Sequence, residues 1–401
     1  MRKTRLDQWI CDTEGLPALS REALDALQLK KLNDLLRRLR ERGRTDLPAA
    51  LSDLRQLGKL PFTTPEMLAQ APGRYLLTSQ SEVSRIISGA TSGTTGPAKR
   101  VFYTQQDTEH TVGLFTAGIG EMLSPGESCL IAFPFTGPFG LGDLIARAVE
   151  RLGGVPIRGG YGQSWDELCK LVRETRPDTY IGFPVSLLGL VRMYGADLPI
   201  RRALVSADAC PAGVMEALEA ALGSKLYPHY GSRECGLGGA VTCPAFAGMH
   251  LRENHIIPEI VDEAGSVLPE GAFGELVITT VGLEAMPLLR YRTGDYTRIL
   301  PPCPCGGVSR RIDTVSRREG GLAMETLDSA LFPEPGLVDC RAALGETLVI
   351  EARVLREDLT EALRRRAQAV CPGLPVEVRC ETALGEHRPL YPGKRYVLPE
   401  L

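Results

Sequence analysis

Between residues 100 and 235, short apolar runs alternate with amphipathic segments, and this alternation limits the possible folds more than any other feature of the chain. CLIAFPF (129–135), VPIRGG, TYIGFPV and KLYPHYG have the length and the β-branched or aromatic content of buried strands. DLIARAVERLGG (143–154), SWDELCKLVRETRPD and GVMEALEAALG carry apolar residues at helical spacing. Strand–helix–strand alternation packs as crossover units on a parallel sheet, so an α/β architecture is predicted.

The flanking segments read differently. Ser20, with Glu22 and Asp25 behind it, precedes LDALQLKKLNDLLRRLRERG and predicts a capped helix. Thr63 or Thr64 in LPFTTPEML can cap a second, short helix. After residue 240, HIIPEIVDEAGSVLPEGAFGELVITTV reads as two antiparallel strands around a Gly- and Pro-containing turn. SRREGG (316–321) has the polarity of a linker, and ETLVIEARV, REDLTEALRRRAQAV and LPVEVRCETAL beyond it read strand, helix, strand. The predicted organisation is a large domain over 1–315, a hinge over 316–321 and a small α+β domain over 322–401.

Composition excludes several classes. A formal net charge of -3 over 401 residues gives no basic excess for nucleic acid or an anionic membrane. No eighteen apolar residues run together, and the basic start MRKTRLDQWICDTEG leads into no signal-like apolar segment, so a cytoplasmic protein is expected. Eleven cysteines, an odd number, argue against a disulfide framework. Cys129, Cys169 and Cys340 sit in apolar stretches and are expected to be small core residues.

ATSGTTGPAKR (90–100) is the first stretch with chemical content. Backbone N–H groups of a Gly-rich turn, hydroxyls and an ammonium can together wrap phosphate oxygens. No Gly-Lys pair exists in this loop, so a Walker-type nucleotide loop is disfavoured, and composition alone leaves an ordinary turn equally open.

TSGTTGPAK is similar to the phosphate loop of adenylate-forming enzymes, with the proline one place early at Pro97. YGSREC (230–235) and LLRYRTGDY (288–296) resemble two further motifs of that superfamily, in the same order. LSREALDALQLKKL, LPFTTPEML, EAMPLLRYRTGD and CPCG narrow the resemblance to the phenylacetate–CoA ligase-like branch, over residues 19 to about 312. The resemblance implies a fold with two sheet-and-helix subdomains and a β-rich subdomain, followed by the small C-terminal domain. It implies attack of a carboxylate on the α-phosphorus of ATP, release of pyrophosphate, and transfer of the acyl group to coenzyme A. The partners implied are a small-molecule carboxylic acid and the nucleotide, with no nucleic acid and no membrane, and a homodimer is admitted.

Residue roles follow from the same resemblance. Thr91, Ser92, Gly93, Thr94, Thr95 and Gly96 would hold the phosphates, with Lys99 as a point charge. Glu234 would bind magnesium, a hard cation suited to carboxylate oxygen. Tyr230, with Gly231, would lie against adenine, and Asp295 would accept from both ribose hydroxyls. Ser206, Ala207 and Asp208 would run past adenine and the acyl group, and Phe135, Phe139 and Gly140 are candidates for the acyl pocket. Cys243, His250, Cys303 and Cys305 correspond to a cysteine–histidine–cysteine–cysteine set that would hold a structural zinc ion. Arg317 or Arg318 would stand for the hinge arginine, Glu319 for its acidic partner, and Lys394 in YPGKRYVL for the adenylation lysine.

Two departures mark the chain. Arg233 replaces the hydroxyl residue that usually precedes the glutamate, and the C-terminal part is short. The principal reading is an acyl- or aryl-CoA ligase. The alternatives are transfer of the acyl or adenylyl group to a protein thiol, an amine or a cofactor, and a degenerate relative that only binds nucleotide.

Overall fold

The computed structural model describes residues 4–89, 99–137, 139–160, 162–317, 322–385, 387–390 and 394–399. They group into two compact units, Met1–Glu121 with His229–Arg318, and Met122–Pro228 with Glu319–Leu401.

The first unit opens with the helices Arg5–Glu14 and Arg21–Glu41, separated at Gly15, whose φ of 66° is the left-handed value that ends the first of them. Ser20 Oγ accepts from Ala23 N at 3.1 Å, so the predicted cap forms. Leu32, Leu35, Leu36 and Leu39 of the second helix are buried with Leu47, Leu57 and Leu60. Thr64, not Thr63, caps the helix Pro65–Gln70, while the Thr63 hydroxyl donates to the Leu289 carbonyl at 2.8 Å. The strands Val83–Gly89 and Lys99–Thr104 pair antiparallel and flank the stretch 90–98. Ile256–Val261, Gly274–Thr280, Tyr291–Thr297 and Ser316–Arg317 form an antiparallel sheet in that order, which confirms the predicted β texture after residue 240.

In the second unit Val155–Arg158, Ser128–Ile131, Thr179–Gly182 and Arg202–Val205 lie side by side, all parallel, and residues 227–228 continue the sheet. The helices Leu141–Arg151, Trp165–Thr175 and Ala212–Leu222 fall where the amphipathic segments predict them. Pro184–Tyr194 adds a helix whose pattern is too apolar to show a polar face. The C-terminal segment supplies the sheet of Leu337–Leu344, Leu348–Val354 and Val376–Thr382 with the helix Thr360–Val370.

This segment has no separate core. Leu327, Leu331, Phe332, Leu337 and Ile350 belong to the same buried cluster as Trp165, Leu187, Val214 and Leu218. Arg192 of Pro184–Tyr194 donates to the carbonyls of Phe332 and Leu337. Contacts therefore group 319–401 with 122–228, which differs from the linear division at 316–321. Ser316 and Arg317 are strand residues of the first unit, and the remaining four positions of that stretch, Arg318 and Glu319 among them, lie outside the described residues. No helix among the described residues is long and apolar enough to cross a membrane.

Candidate active site

The hairpin that flanks the Gly-rich stretch pairs Gly89 with Lys99, so Lys99 is fixed as the first strand residue after the loop. Thr91, Ser92, Gly93, Thr94, Thr95 and Gly96 lie outside the described residues. Lys99 Nζ is 2.5 Å from Glu234 Oε1 and donates to Tyr291 Oη at 2.9 Å. Tyr291 Oη in turn donates to the same carboxylate oxygen at 3.1 Å. The three are almost closed to water, at 6%, 4% and 1% exposure for Lys99, Glu234 and Tyr291. Burial pushes the Glu234 pKa up, but the Lys99 ammonium and its hydrogen bond pull it below the ordinary carboxylate value. Burial, then the Glu234 charge, push the Tyr291 phenol well above its ordinary value.

The turn that presents Glu234 is held from three directions. Leu237 N donates to Ser232 O at 2.8 Å, and Leu237 takes a φ of 68° to close the turn. A Cβ on Gly231 would sit 2.1 Å from the Leu237 carbonyl oxygen, so only glycine fits between Tyr230 and the turn. Tyr103, on the same strand as Lys99, donates its hydroxyl to the Arg233 carbonyl. Arg233 is half-buried, and its charge is among those that lower Glu234.

Asp295 lies on Tyr291–Thr297, opposite Arg317 in the sheet register. Tyr230 Oη donates to Asp295 Oδ2 at 2.8 Å and Arg317 Nε to Oδ1 at 2.7 Å. Among the described residues these two side chains donate to the Asp295 carboxylate, one on each oxygen, and a carboxylate oxygen can accept a second donor. Burial lowers the Arg317 pKa, but the charge and hydrogen bond of Asp295, with Tyr230 and Glu234 adding, together raise it above the ordinary value, so the guanidinium stays charged. Lys99, Glu234, Tyr230, Gly231, Asp295 and Arg317 are therefore parts of one unit, linked by two short hydrogen-bonded chains.

Cys243, His250, Cys303 and Cys305 also converge there, with all four ligand atoms within 4.8 Å of one another. Cys243 Sγ is 3.7 Å from Cys303 Sγ, and Cys305 Sγ is 3.4 Å from His250 Nε2. His250 Nδ1 lies 2.9 Å from the Ser309 carbonyl, which fixes Nε2 as the atom facing the thiols. Asp7 of the first helix accepts from Val308 N and Ser309 Oγ, both at 2.8 Å, and so anchors the cysteine loop. Burial, with Cys303 and Cys243 adding, pushes the Cys305 thiol up to about 12. Sequence reasoning finds these four residues but not Asp7 or Tyr103, whose signals are a helix start and a strand tyrosine without motif character.

The other predicted residues belong to the second unit. Ser206 N donates to Gly182 O at 3.0 Å, and Ala207 has a φ of 68°. Asp208 Oδ1 accepts from Ala209 N, and burial, opposed by Arg395, raises its pKa to about 6. Phe135 and Phe139 are half-buried, with the Arg158 guanidinium 4.6 Å from the Phe135 ring. Gly140 is buried, and a Cβ there would meet Asp143 Oδ2 at 2.6 Å. Lys394 is exposed.

Residues 90–285 match the AMP-binding enzyme family. The chain is 33% identical over 316 residues to phenylacetate–coenzyme A ligase of Aromatoleum evansii, covering 73% of this chain and 70% of that protein. The chain belongs to this family. The Thermus thermophilus phenylacetate–coenzyme A ligase is 32% identical over 332 residues, covering 76% and 72% of the two chains. The fold is similar to that of a 2-hydroxyisobutyryl-CoA ligase structure, with a TM-score of 0.74, 19% identity, and coverage of 93% of this chain and 89% of that one. As a member of the phenylacetate–coenzyme A ligase-like adenylate-forming enzymes, the protein is an AMP-forming acid–thiol ligase. It converts a carboxylic acid and ATP to an acyl-adenylate and transfers the acyl group to coenzyme A.

Proposed function

We propose that the acid is an aromatic carboxylate of the phenylacetate kind, and that the two hydrogen-bonded chains of the first unit hold the nucleotide. The relatives named for phenylacetate support the first part. The observation that carries the second is Asp295, buried and held on one oxygen by Tyr230 and on the other by Arg317, so that among the described residues both carboxylate oxygens are fixed in place and each can accept a further donor. Asp295 takes the ribose hydroxyls and Tyr230 lies against adenine. Thr91, Ser92, Thr94 and Thr95 with the loop glycines grip the phosphates, beside the point charge of Lys99. Arg233 adds a second cation where charge accumulates on the leaving pyrophosphate. Ser206, Ala207 and Asp208 flank the acyl group, with Phe135, Phe139 and Gly140 in its pocket, and Lys394 meets the α-phosphate and the attacking carboxylate.

Two metals fit the residues present. Glu234 is a hard oxygen donor suited to magnesium, which when bound would share the charge of the phosphates. Zinc bonds of about 2.3 Å to sulfur and about 2.0–2.1 Å to nitrogen put tetrahedral ligand atoms about 3.5–3.8 Å apart. The Cys243–Cys303 separation of 3.7 Å falls in that range and the Cys305–His250 separation of 3.4 Å lies just below it, with all four ligand atoms within 4.8 Å of one another, so the set suits a closed structural zinc site. The ion would tie the strand Met249–Leu251 to the loop that follows Asp295.

Calorimetric ATP binding to Asp295→Ala tests the nucleotide reading. Loss of two charge-assisted hydrogen bonds predicts at least a tenfold weaker affinity, about 1.5–3 kcal/mol per bond. Unchanged affinity would remove Asp295 from the site.

A further inference from the structure

Arg395 follows Lys394 directly, yet the two neighbours have opposite fates: Lys394 is exposed and Arg395 is 7% exposed. The Arg395 guanidinium makes a bidentate pair with Asp328, Nε to Oδ2 at 2.9 Å and Nη2 to Oδ1 at 2.7 Å. Its Nη1 donates to Asp339 Oδ1 at 2.9 Å, and the plane lies 5.5 Å from the Phe332 ring. The Arg395 backbone N–H donates to Asp208 Oδ2 at 3.0 Å. On either side, Leu390 N donates to Asp339 Oδ2 at 2.6 Å, and Leu398 exchanges hydrogen bonds with Ala342 O and Leu344 N at 2.8 and 2.9 Å. The peptide that carries Lys394 is thus pinned before, at and after the lysine.

We infer that Arg395 is the positioning residue for Lys394. Burying one guanidinium against two carboxylates is costly in desolvation, and apolar side chains would fill such a site with equal or better stability. What the fork supplies that an apolar residue cannot is a fixed orientation: five donors in one plane, bonded to two aspartates on different elements. Asp328 comes from the helix Met324–Leu331 and Asp339 from the strand Leu337–Leu344. A lysine side chain has four rotatable bonds, so its ammonium reaches one place repeatedly only if its backbone is held. Asp208 adds register, because the same carboxylate belongs to the Ser206–Asp208 stretch that flanks the acyl group. The inference rests on the reading of Lys394 as the adenylation lysine.

The test separates the two half-reactions in the full-length enzyme. Arg395→Lys keeps the charge but cannot bridge Asp328 and Asp339. We expect acid-dependent pyrophosphate–ATP exchange to fall about 10–100-fold in kcat, a loss typical of reacting groups displaced by about 1 Å. The KM for ATP should stay within about twofold, and CoA attack on isolated acyl-adenylate should be unchanged. An Arg395→Lys enzyme with wild-type exchange, or with both half-reactions reduced equally, overturns the inference. If Arg395→Lys does not fold, Asp339→Asn, which keeps the side-chain shape but neutralises one partner of the fork, must show the same selective loss, and full exchange activity would overturn it. Lys394→Ala tells the two ideas apart. If it retains exchange, the role of Lys394 fails; if it loses exchange while Arg395→Lys does not, only the positioning role fails.

Discussion

Replacing Lys99 by methionine removes the cation from the most enclosed charged cluster of the site. The ammonium lies 2.5 Å from Glu234 Oε1, and the two side chains are 8% and 5% exposed. With an effective dielectric constant near 20, attraction at that distance is about 6–7 kcal/mol, set against several kcal/mol of desolvation for each ion. Lys99→Met recovers none of the Glu234 desolvation and leaves Tyr291 as a partner of that carboxylate. The expected loss is about 3–5 kcal/mol, or roughly 6–20 °C in Tm for a cooperative unit of about 200 residues. Urea titration should show a lower midpoint at unchanged m. Glu234→Gln alone should also destabilise, and the double variant should be less destabilised than the sum of the two by about 1–3 kcal/mol. A Lys99→Met loss under about 1 kcal/mol, or strict additivity in the double variant, would refute the coupling of these two side chains.

Further outcomes follow from the same geometry. Protein purified without chelator should carry about one zinc ion per chain, and Cys303→Ser should lower both occupancy and Tm; a zinc-free, well-folded protein would refute the site. Burial lowers the pKa of His110 and His229 to about 4, so between pH 6.5 and 4 the unfolded chain binds more protons than the folded one. His229, the more deeply buried, therefore contributes up to about 3 kcal/mol, and the more exposed His110 less, each present above pH 6.5 and lost on acidification. Asp208, raised to about 6, acts in the opposite sense, with a contribution present below its unfolded value near 3.8 and lost as pH rises through 6. The two histidines outweigh it, so urea midpoints should fall from pH 7 to pH 4.5, and a flat profile would contradict this. Gly231→Ala should cost at least about 1–3 kcal/mol, because its Cβ meets a turn carbonyl at 2.1 Å; a neutral effect on the urea midpoint would show that the turn can relax.

Local order was legible wherever period and caps agree. Ser20 and Thr64 cap the helices they introduce, and the strands at Thr179–Gly182 and Gly274–Thr280 fall inside their apolar runs. The helix Pro184–Tyr194 and the strand Leu337–Leu344 are buried along much of their length and so lack the amphipathic period that would announce them. The candidate site was legible through its motifs, which place Tyr230, Glu234 and Asp295 in sequence but not in space. That Lys99 reaches Glu234, and that Tyr230 and Arg317 both donate to Asp295, depends on pairings across 135, 65 and 22 positions. The grouping of 319–401 with 122–228 was hidden for a similar reason. A linker is visible as polar residues, whereas a core shared by Phe332 and Trp165 leaves no local mark.

Carboxylate-dependent exchange of pyrophosphate into ATP tests the account most directly, measured on the wild-type enzyme and on Lys394→Ala with an aryl, fatty and small-acid panel. The account predicts exchange that requires an acid, is greatest with an aromatic carboxylate, yields an acyl-CoA thioester when coenzyme A is added, and disappears in Lys394→Ala while ATP binding persists. Exchange without any acid, or none with any member of the panel, would contradict it.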